Sequence, residues 1–195
     1  MKTARLFPVL LAVSLVLLTT GRAQVYTTTM TGPQESPINN SPGTGTAQIT
    51  LDLALHTLRV VFDFTGLQGT ASIAHIHGAT DQPFTGTASP ATNSAGFPGL
   101  PAAMSGSYDM TFSTLDAATW NSTYVNGAGG GTLSGTELAF KQDLDDGQMY
   151  LNIHSSAFPG GEIRGFLAVP EPATIGLIAI GGCGLLLAMR RARRS

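Results

Sequence analysis

The chain has 195 residues, and its 43% hydrophobic content is enough to build one core. Residues 25–168 contain three bases and eleven acids, a net charge of −8, which would repel phosphate and excludes a nucleic-acid-binding protein. The single cysteine, Cys183, lies in an apolar segment near the C-terminus. The preceding domain therefore has neither a disulfide nor a thiol nucleophile.

Residues 1–23 have the pattern of a secretory signal peptide. Lys2 and Arg5 precede an apolar run over residues 6–18, and small residues flank Arg22. We expect cleavage after this segment. The alternative is an uncleaved membrane anchor, but the apolar run is shorter than the roughly 20 residues of a spanning helix.

The next segment is predicted to form β-strands. A short strand over 25–30 precedes a loop with several prolines at 31–45. Residues 47–53 and 58–64 then alternate between apolar and polar side chains, as in strands with one buried face. The turn between these two runs is short, which predicts an antiparallel hairpin.

Three of the four histidines lie on two later strands. In a strand over 71–78, alternation places His75 and His77 on one face. Many Gly and Pro residues predict a long loop over 79–101, and a strand at 105–112 follows it.

Two short helices are predicted in the second half of the domain. Ser113 with Asp116, and Ser134 with Glu137, have the spacing of an N-cap and its reciprocal partner. Two closing strands follow, at 149–154 and 162–167, joined by a turn over 155–161. The first of them ends in His154.

The C-terminal segment 169–195 begins with Pro170, Glu171 and Pro172. An uncharged apolar run over 173–189 follows, long enough to span a membrane. The basic residues after it should stay on the cytoplasmic side, so the domain should lie outside. These residues are Arg190, Arg191, Arg193 and Arg194.

This arrangement resembles the PEP-CTERM sorting signal of Gram-negative bacteria. The resemblance implies a temporary membrane anchor, processing by an exosortase-type enzyme, and a final location at the cell surface or in the extracellular matrix. A permanent single-pass anchor is the alternative.

The domain itself, residues 24–168, resembles the CHRD domain first described in chordin. The matching segments are AHIHG at 74–78, YLNIH at 150–154 and PGGEIRG at 159–165. The resemblance implies an all-β fold, an antiparallel Greek-key β-sandwich or barrel of the immunoglobulin-like or Cu/Zn superoxide dismutase-like type, with one or two short helices beside the C-terminal transmembrane helix. It also implies an extracellular binding or structural role. The chain lacks the cysteine-rich modules of chordin, so growth-factor binding is not carried over.

The histidines allow two interpretations. His75, His77 and His154 could supply three nitrogen ligands to copper or zinc, with Glu162 as a fourth ligand or as a hydrogen-bond partner of one. This set is loosely similar to the copper site of Cu/Zn superoxide dismutases. Alternatively, the same residues form a buried polar network in which Arg164 pairs with Glu162 on the same strand face. No nucleophile or second carboxylate accompanies Glu162, so an enzyme is not predicted.

The sequence therefore predicts an exported, membrane-sorted β-domain with a binding or structural role at the cell surface. Its partner would be a surface polysaccharide or a protein. The alternative function is that of an extracellular copper or zinc protein with a redox role.

Overall fold

The computed structural model describes residues 23–170, which form seven strands and a few short helices. The strands are Gln24–Thr31 (β1), Thr44–Asp52 (β2), Thr57–Thr65 (β3), Ala71–His77 (β4), Gly106–Ser113 (β5), Tyr150–Ser155 (β6) and Ile163–Phe166 (β7). The helices are Ser122–Asn126 (α1) and Leu133–Asp145 (α2), with 3-10 helices at Gly32–Gln34 and Ala117–Thr119. Each predicted strand is present, with ends that differ by a few residues at most.

All seven strands belong to one curled antiparallel sheet, in the order β4-β6-β7-β1-β2-β3-β5. Strands β2 and β3 form the predicted hairpin, with Ala47 opposite Phe62. The two halves of the sheet meet where Thr31 of β1 lies opposite Arg164 of β7. The mostly β, antiparallel character is therefore confirmed, whereas a Greek-key or immunoglobulin-like arrangement stays a prediction.

The hydrophobic core fills the inner side of the curl. Alternate residues of the strands point into it, and helix α2 covers it with Phe140, which packs 5.0 Å from Trp120 between ring centroids. Burial of this apolar surface is the main favourable term in folding. Fully buried members from the sheet include Ile49, Phe62, Ile76 and Ile153.

The long loop between β4 and β5 covers the outer edge of the sheet. Its backbone bonds to β4, with Phe97 N donating to Ala74 O at 2.9 Å and Ala91 N donating to Ile76 O at 2.8 Å. An edge strand covered in this way cannot pair with another chain. The loop also crosses the outer face of β4 and β6, where the histidines lie.

The helix caps differ from those predicted. Helix α2 begins earlier than expected, because the Thr132 hydroxyl, and not Ser134, accepts the backbone N–H of Gly135 at 3.0 Å. Glu137 does not complete that cap, since its carboxylate turns inward to other partners. Likewise Asp116 itself caps the 3-10 helix, and Ser113 is still part of β5.

Within residues 23–170, no helix has the length and apolar character required to cross a membrane. The predicted spanning helix at 173–189 and residues 1–22 of the predicted signal peptide lie outside the described residues.

Candidate metal centre

The three histidines of β4 and β6 lie together on the outer face of the sheet, away from the core. In the antiparallel register, Ile73 lies opposite His154, and His75 lies opposite Asn152. Alternation along β4 turns Ala74 and Ile76 inward, so it must turn His75 and His77 outward. The strand pairing thus brings together residues that are nearly 80 positions apart in sequence.

The three rings are close enough to share one ion. The ring centroid of His75 lies 4.4 Å from that of His77 and 4.8 Å from that of His154. One ring nitrogen from each histidine lies within 4.8 Å of the other two. All three side chains are buried, with exposed fractions of 5 to 8%.

Backbone carbonyls fix the orientation of two of the rings. Nδ1 of His77 lies 2.8 Å from Ala88 O, and Nδ1 of His154 lies 2.9 Å from Pro159 O. A carbonyl can only accept, so each Nδ1 must carry the proton and each Nε2 must carry the lone pair. Ligating histidines in proteins commonly have this arrangement, with the second nitrogen donating to a carbonyl or a carboxylate.

Three of the four remaining nitrogens are buried without a hydrogen-bond partner in the described part of the chain. Nε2 of His77, Nε2 of His154 and Nδ1 of His75 are buried, and no residue within 23–170 hydrogen-bonds to them. The same is true of only two other side-chain atoms in that part of the chain, Asn152 Oδ1 and Glu35 Oε1. Both lie within 3 Å of the place that a Cβ atom on Gly161 would occupy, beside the histidine strand.

Burial keeps the imidazoles neutral. Burial lowers the pKa of His75 to about 3 and that of His77 to about 4, and neighbouring imidazoles add to both shifts. Burial also lowers the pKa of His154, against the hydrogen bond to Pro159. At neutral pH all three rings therefore keep the lone pair that metal binding requires.

Tyr150 contacts the histidine group and was missed by the sequence reasoning. Its ring stacks on His77 with a centroid distance of 4.8 Å and an angle of 8°. Its hydroxyl accepts from Ala88 N at 3.2 Å and approaches Ala88 O at 3.3 Å. Tyr150 therefore holds the loop peptide that orients His77. The signal was present, because Tyr150 lies on the same face of β6 as His154.

Arg164 has a different partner from the one predicted. Its Nε donates to Gln34 O at 2.5 Å and lies 3.8 Å from Glu35 Oε2, while Nη1 donates to Gly86 O at 2.9 Å. The acid beside Arg164 is thus Glu35 from the β1–β2 loop, and the predicted pair with Glu162 is corrected. No periodic pattern marks this loop, so sequence reasoning had no signal for Glu35.

Glu162 is not among the grouped ligand atoms of residues 23–170. Its carboxylate accepts from Ser41 Oγ at 2.6 Å, Gln68 N at 2.5 Å and Gly69 N at 3.3 Å. Burial tends to raise the pKa of Glu162, but hydrogen bonds from Ser155, Ser41 and the two backbone amides outweigh it and hold the pKa below its usual value. Glu162 therefore joins two loops to the sheet.

The fourth histidine lies elsewhere. Nδ1 of His56, in the β2–β3 turn, is 3.0 Å from the buried carboxylate of Glu137, which also accepts from the Thr114 hydroxyl. This contact joins helix α2 to the sheet. His56 therefore offers a histidine outside the candidate site for comparison.

Two family models match the chain, one over the folded domain and one over the C-terminal segment. No curated protein and no solved structure matches the chain. A family model described as the PEP-CTERM protein-sorting motif matches residues 168–194. That motif supports export, transient anchoring in the membrane through the C-terminus, and processing by an exosortase-type enzyme. Of its predicted residues only Pro170 is described by the structure. A second model, the CHRD domain, matches residues 26–167, which is most of the chain, and the protein therefore belongs to the CHRD domain family.

Proposed function

We propose that this exported CHRD domain binds one transition-metal ion, copper or zinc, through His75, His77 and His154. The observation that carries the proposal is that the three buried histidines are grouped closely enough to share an ion, and that each has a ring nitrogen without a hydrogen-bond partner among the described residues. A buried polar atom left unpaired costs about 1–3 kcal/mol, so proteins rarely keep three of them at one point without a reason.

The contacts favour a metal centre over a purely structural network. A network would pair the histidine nitrogens with each other or with Glu162. Instead, Nδ1 of His77 and Nδ1 of His154 bond to backbone carbonyls, and Glu162 bonds to Ser41 and to backbone amides. In His77 and His154, hydrogen bonding therefore occupies Nδ1 and leaves Nε2 free to bind a metal ion.

The distances require only a small adjustment. Nitrogens that share an ion at about 2.0–2.1 Å lie about 3.4 Å from each other in tetrahedral or trigonal geometry. The present separations are at most 4.8 Å. Imidazole suits both copper and zinc. Rotation of His75, whose Nδ1 has no partner among residues 23–170, can supply much of the closure.

The predicted binding or structural role at the cell surface or in the matrix is a separate proposal. The sorting motif bears on where the domain is sent, and a surface polysaccharide or protein partner stays a prediction. A metal centre is compatible with such a role, because the outer face that carries it is stabilised when the ion is bound.

Elemental analysis of the purified full-length protein in detergent tests the metal proposal. After incubation with excess copper or zinc and removal of free ion, we expect about one ion per chain. His75→Ala and His154→Ala should each lose it. The matched control is His56→Gln, which alters the histidine outside the site and should keep the ion. An unmetallated wild-type protein, or variants that retain the ion, would refute the proposal.

A further inference from the structure

We infer that the ion held by His75, His77 and His154 is copper in its monovalent state, an inference that rests on the proposed function. The ligand set is the first reason. It consists of three neutral nitrogens, and within residues 23–170 no carboxylate or thiolate joins it. Monovalent copper has a filled d shell and is stable with three nitrogens alone. Zinc in proteins is nearly always four-coordinate and would need a further ligand from solvent.

The surroundings of the rings disfavour that solvent ligand. The exposed fractions of the three histidines are 5 to 8%. The Tyr150 ring stacks flat on His77, and the peptides of Ala88 and Pro159 bond to the ring edges. A site closed on these sides suits an ion that is satisfied by its protein ligands.

Charge is the second reason. Arg164 is 4% exposed, and its guanidinium carbon lies 4.7 Å from the ring centroid of Tyr150. The Tyr150 ring in turn stacks on His77, with 4.8 Å between the ring centroids. The positive charge therefore lies within about 10 Å of a ligand and repels a divalent ion twice as strongly as a monovalent one. The desolvation cost of a buried ion rises with its charge as well.

One neighbouring acid opposes this effect in part. Glu35 Oε2 lies 3.8 Å from Arg164 Nε. Burial raises the pKa of Glu35 to about 7, so its carboxyl is partly protonated near neutral pH. Glu35 therefore offsets the charge of Arg164 only in part, and the remaining charge of Arg164 favours the ion of lower charge.

Anaerobic competition measures the preference directly. The full-length protein in detergent is loaded with copper kept monovalent by ascorbate, and is then dialysed against a tenfold excess of Zn²⁺ over protein, with chromophoric chelators reporting each ion. We expect copper to be retained. X-ray absorption at the copper edge should show three nitrogen neighbours.

Two variants test the charge argument. Arg164→Gln removes the charge and Arg164→Lys keeps it, while both lose the hydrogen bonds of the guanidinium. We expect the affinity ratio of monovalent copper to zinc to fall about tenfold in the Gln variant relative to the Lys variant.

The outcomes separate the two proposals. Displacement of copper by zinc, or preferred binding of divalent copper, would overturn this inference and leave the metal centre in place. Equal ratios in the two Arg164 variants would overturn the charge argument. Failure to bind any of these ions would overturn both the inference and the proposed function.

Discussion

Replacing Glu35 by Gln should stabilise the domain at alkaline pH relative to wild type, although it removes one partner of a buried charge pair. Glu35 is 7% exposed, and no residue within 23–170 hydrogen-bonds to its Oε1. Burial raises the pKa of Glu35 from 4.5 to about 7, and the positive charge of Arg164 is the largest opposing influence. Gln has nearly the same shape and does not titrate.

The sign follows from proton linkage. Because the folded pKa is raised above the unfolded value, the folded state binds more protons between pH 4.5 and about 7. The contribution of Glu35 to stability is therefore full below pH 4.5 and is lost as the pH rises through 7. The shift corresponds to an upper limit of about 3 kcal/mol. Glu35 also lines an open groove with Pro37 and Ile38, so solvent screening reduces the expected effect to about 1–2 kcal/mol.

Urea unfolding at pH 5 and pH 8 measures this difference. The buried Trp120 gives the fluorescence signal, and metal-free protein is used so that ion binding does not contribute. The pKa of Glu35 already includes the attraction of Arg164, and the carboxyl is mostly neutral at pH 5, so the relevant quantity is how the stability difference between variant and wild type changes from pH 5 to pH 8. The exposed variant Asp63→Asn is the control and should show no such change. A difference between Glu35→Gln and wild type that is constant with pH, or that favours wild type more at pH 8, would refute the reasoning.

Two further predictions concern contacts around the site and the core. Tyr150→Phe keeps the ring and removes the hydroxyl that bonds to Ala88. Metal affinity, measured by isothermal titration, should fall about tenfold, while the thermal unfolding temperature should change little. Unchanged affinity would show that the Tyr150 hydroxyl does not support the site. Glu137→Ala leaves the buried Thr114 hydroxyl without its acceptor and separates α2 from the β2–β3 turn, so the free energy of unfolding should fall by about 2–4 kcal/mol. If the free energy of unfolding falls by less than about 1 kcal/mol, and the measurement error is small enough to distinguish this from the expected loss, that structural role is contradicted.

The strands could be predicted from the sequence because their signal is local. Alternation of apolar and polar residues over 47–53 and 58–64 depends only on neighbours in the chain, and the observed hairpin follows it. The same period placed His75 and His77 on one face, away from Ile76. The family and the sorting motif could likewise be recognised from short segments of sequence.

Tertiary structure alone decided how these elements combine. The pairing of β4 with β6 brings His154 to the other histidines, and it joins strands that are separated in the chain by a long loop, strand β5 and two helices. The partners of Arg164 and Glu162 come from loops whose sequence has no period. Alternation along one strand suggested that these two residues pair with each other, but in the fold the acid beside Arg164 is Glu35. The orientations of His77 and His154 depend on carbonyls placed by a loop and a turn. Local patterns therefore determined which residues share a face, and long-range packing determined which atoms meet.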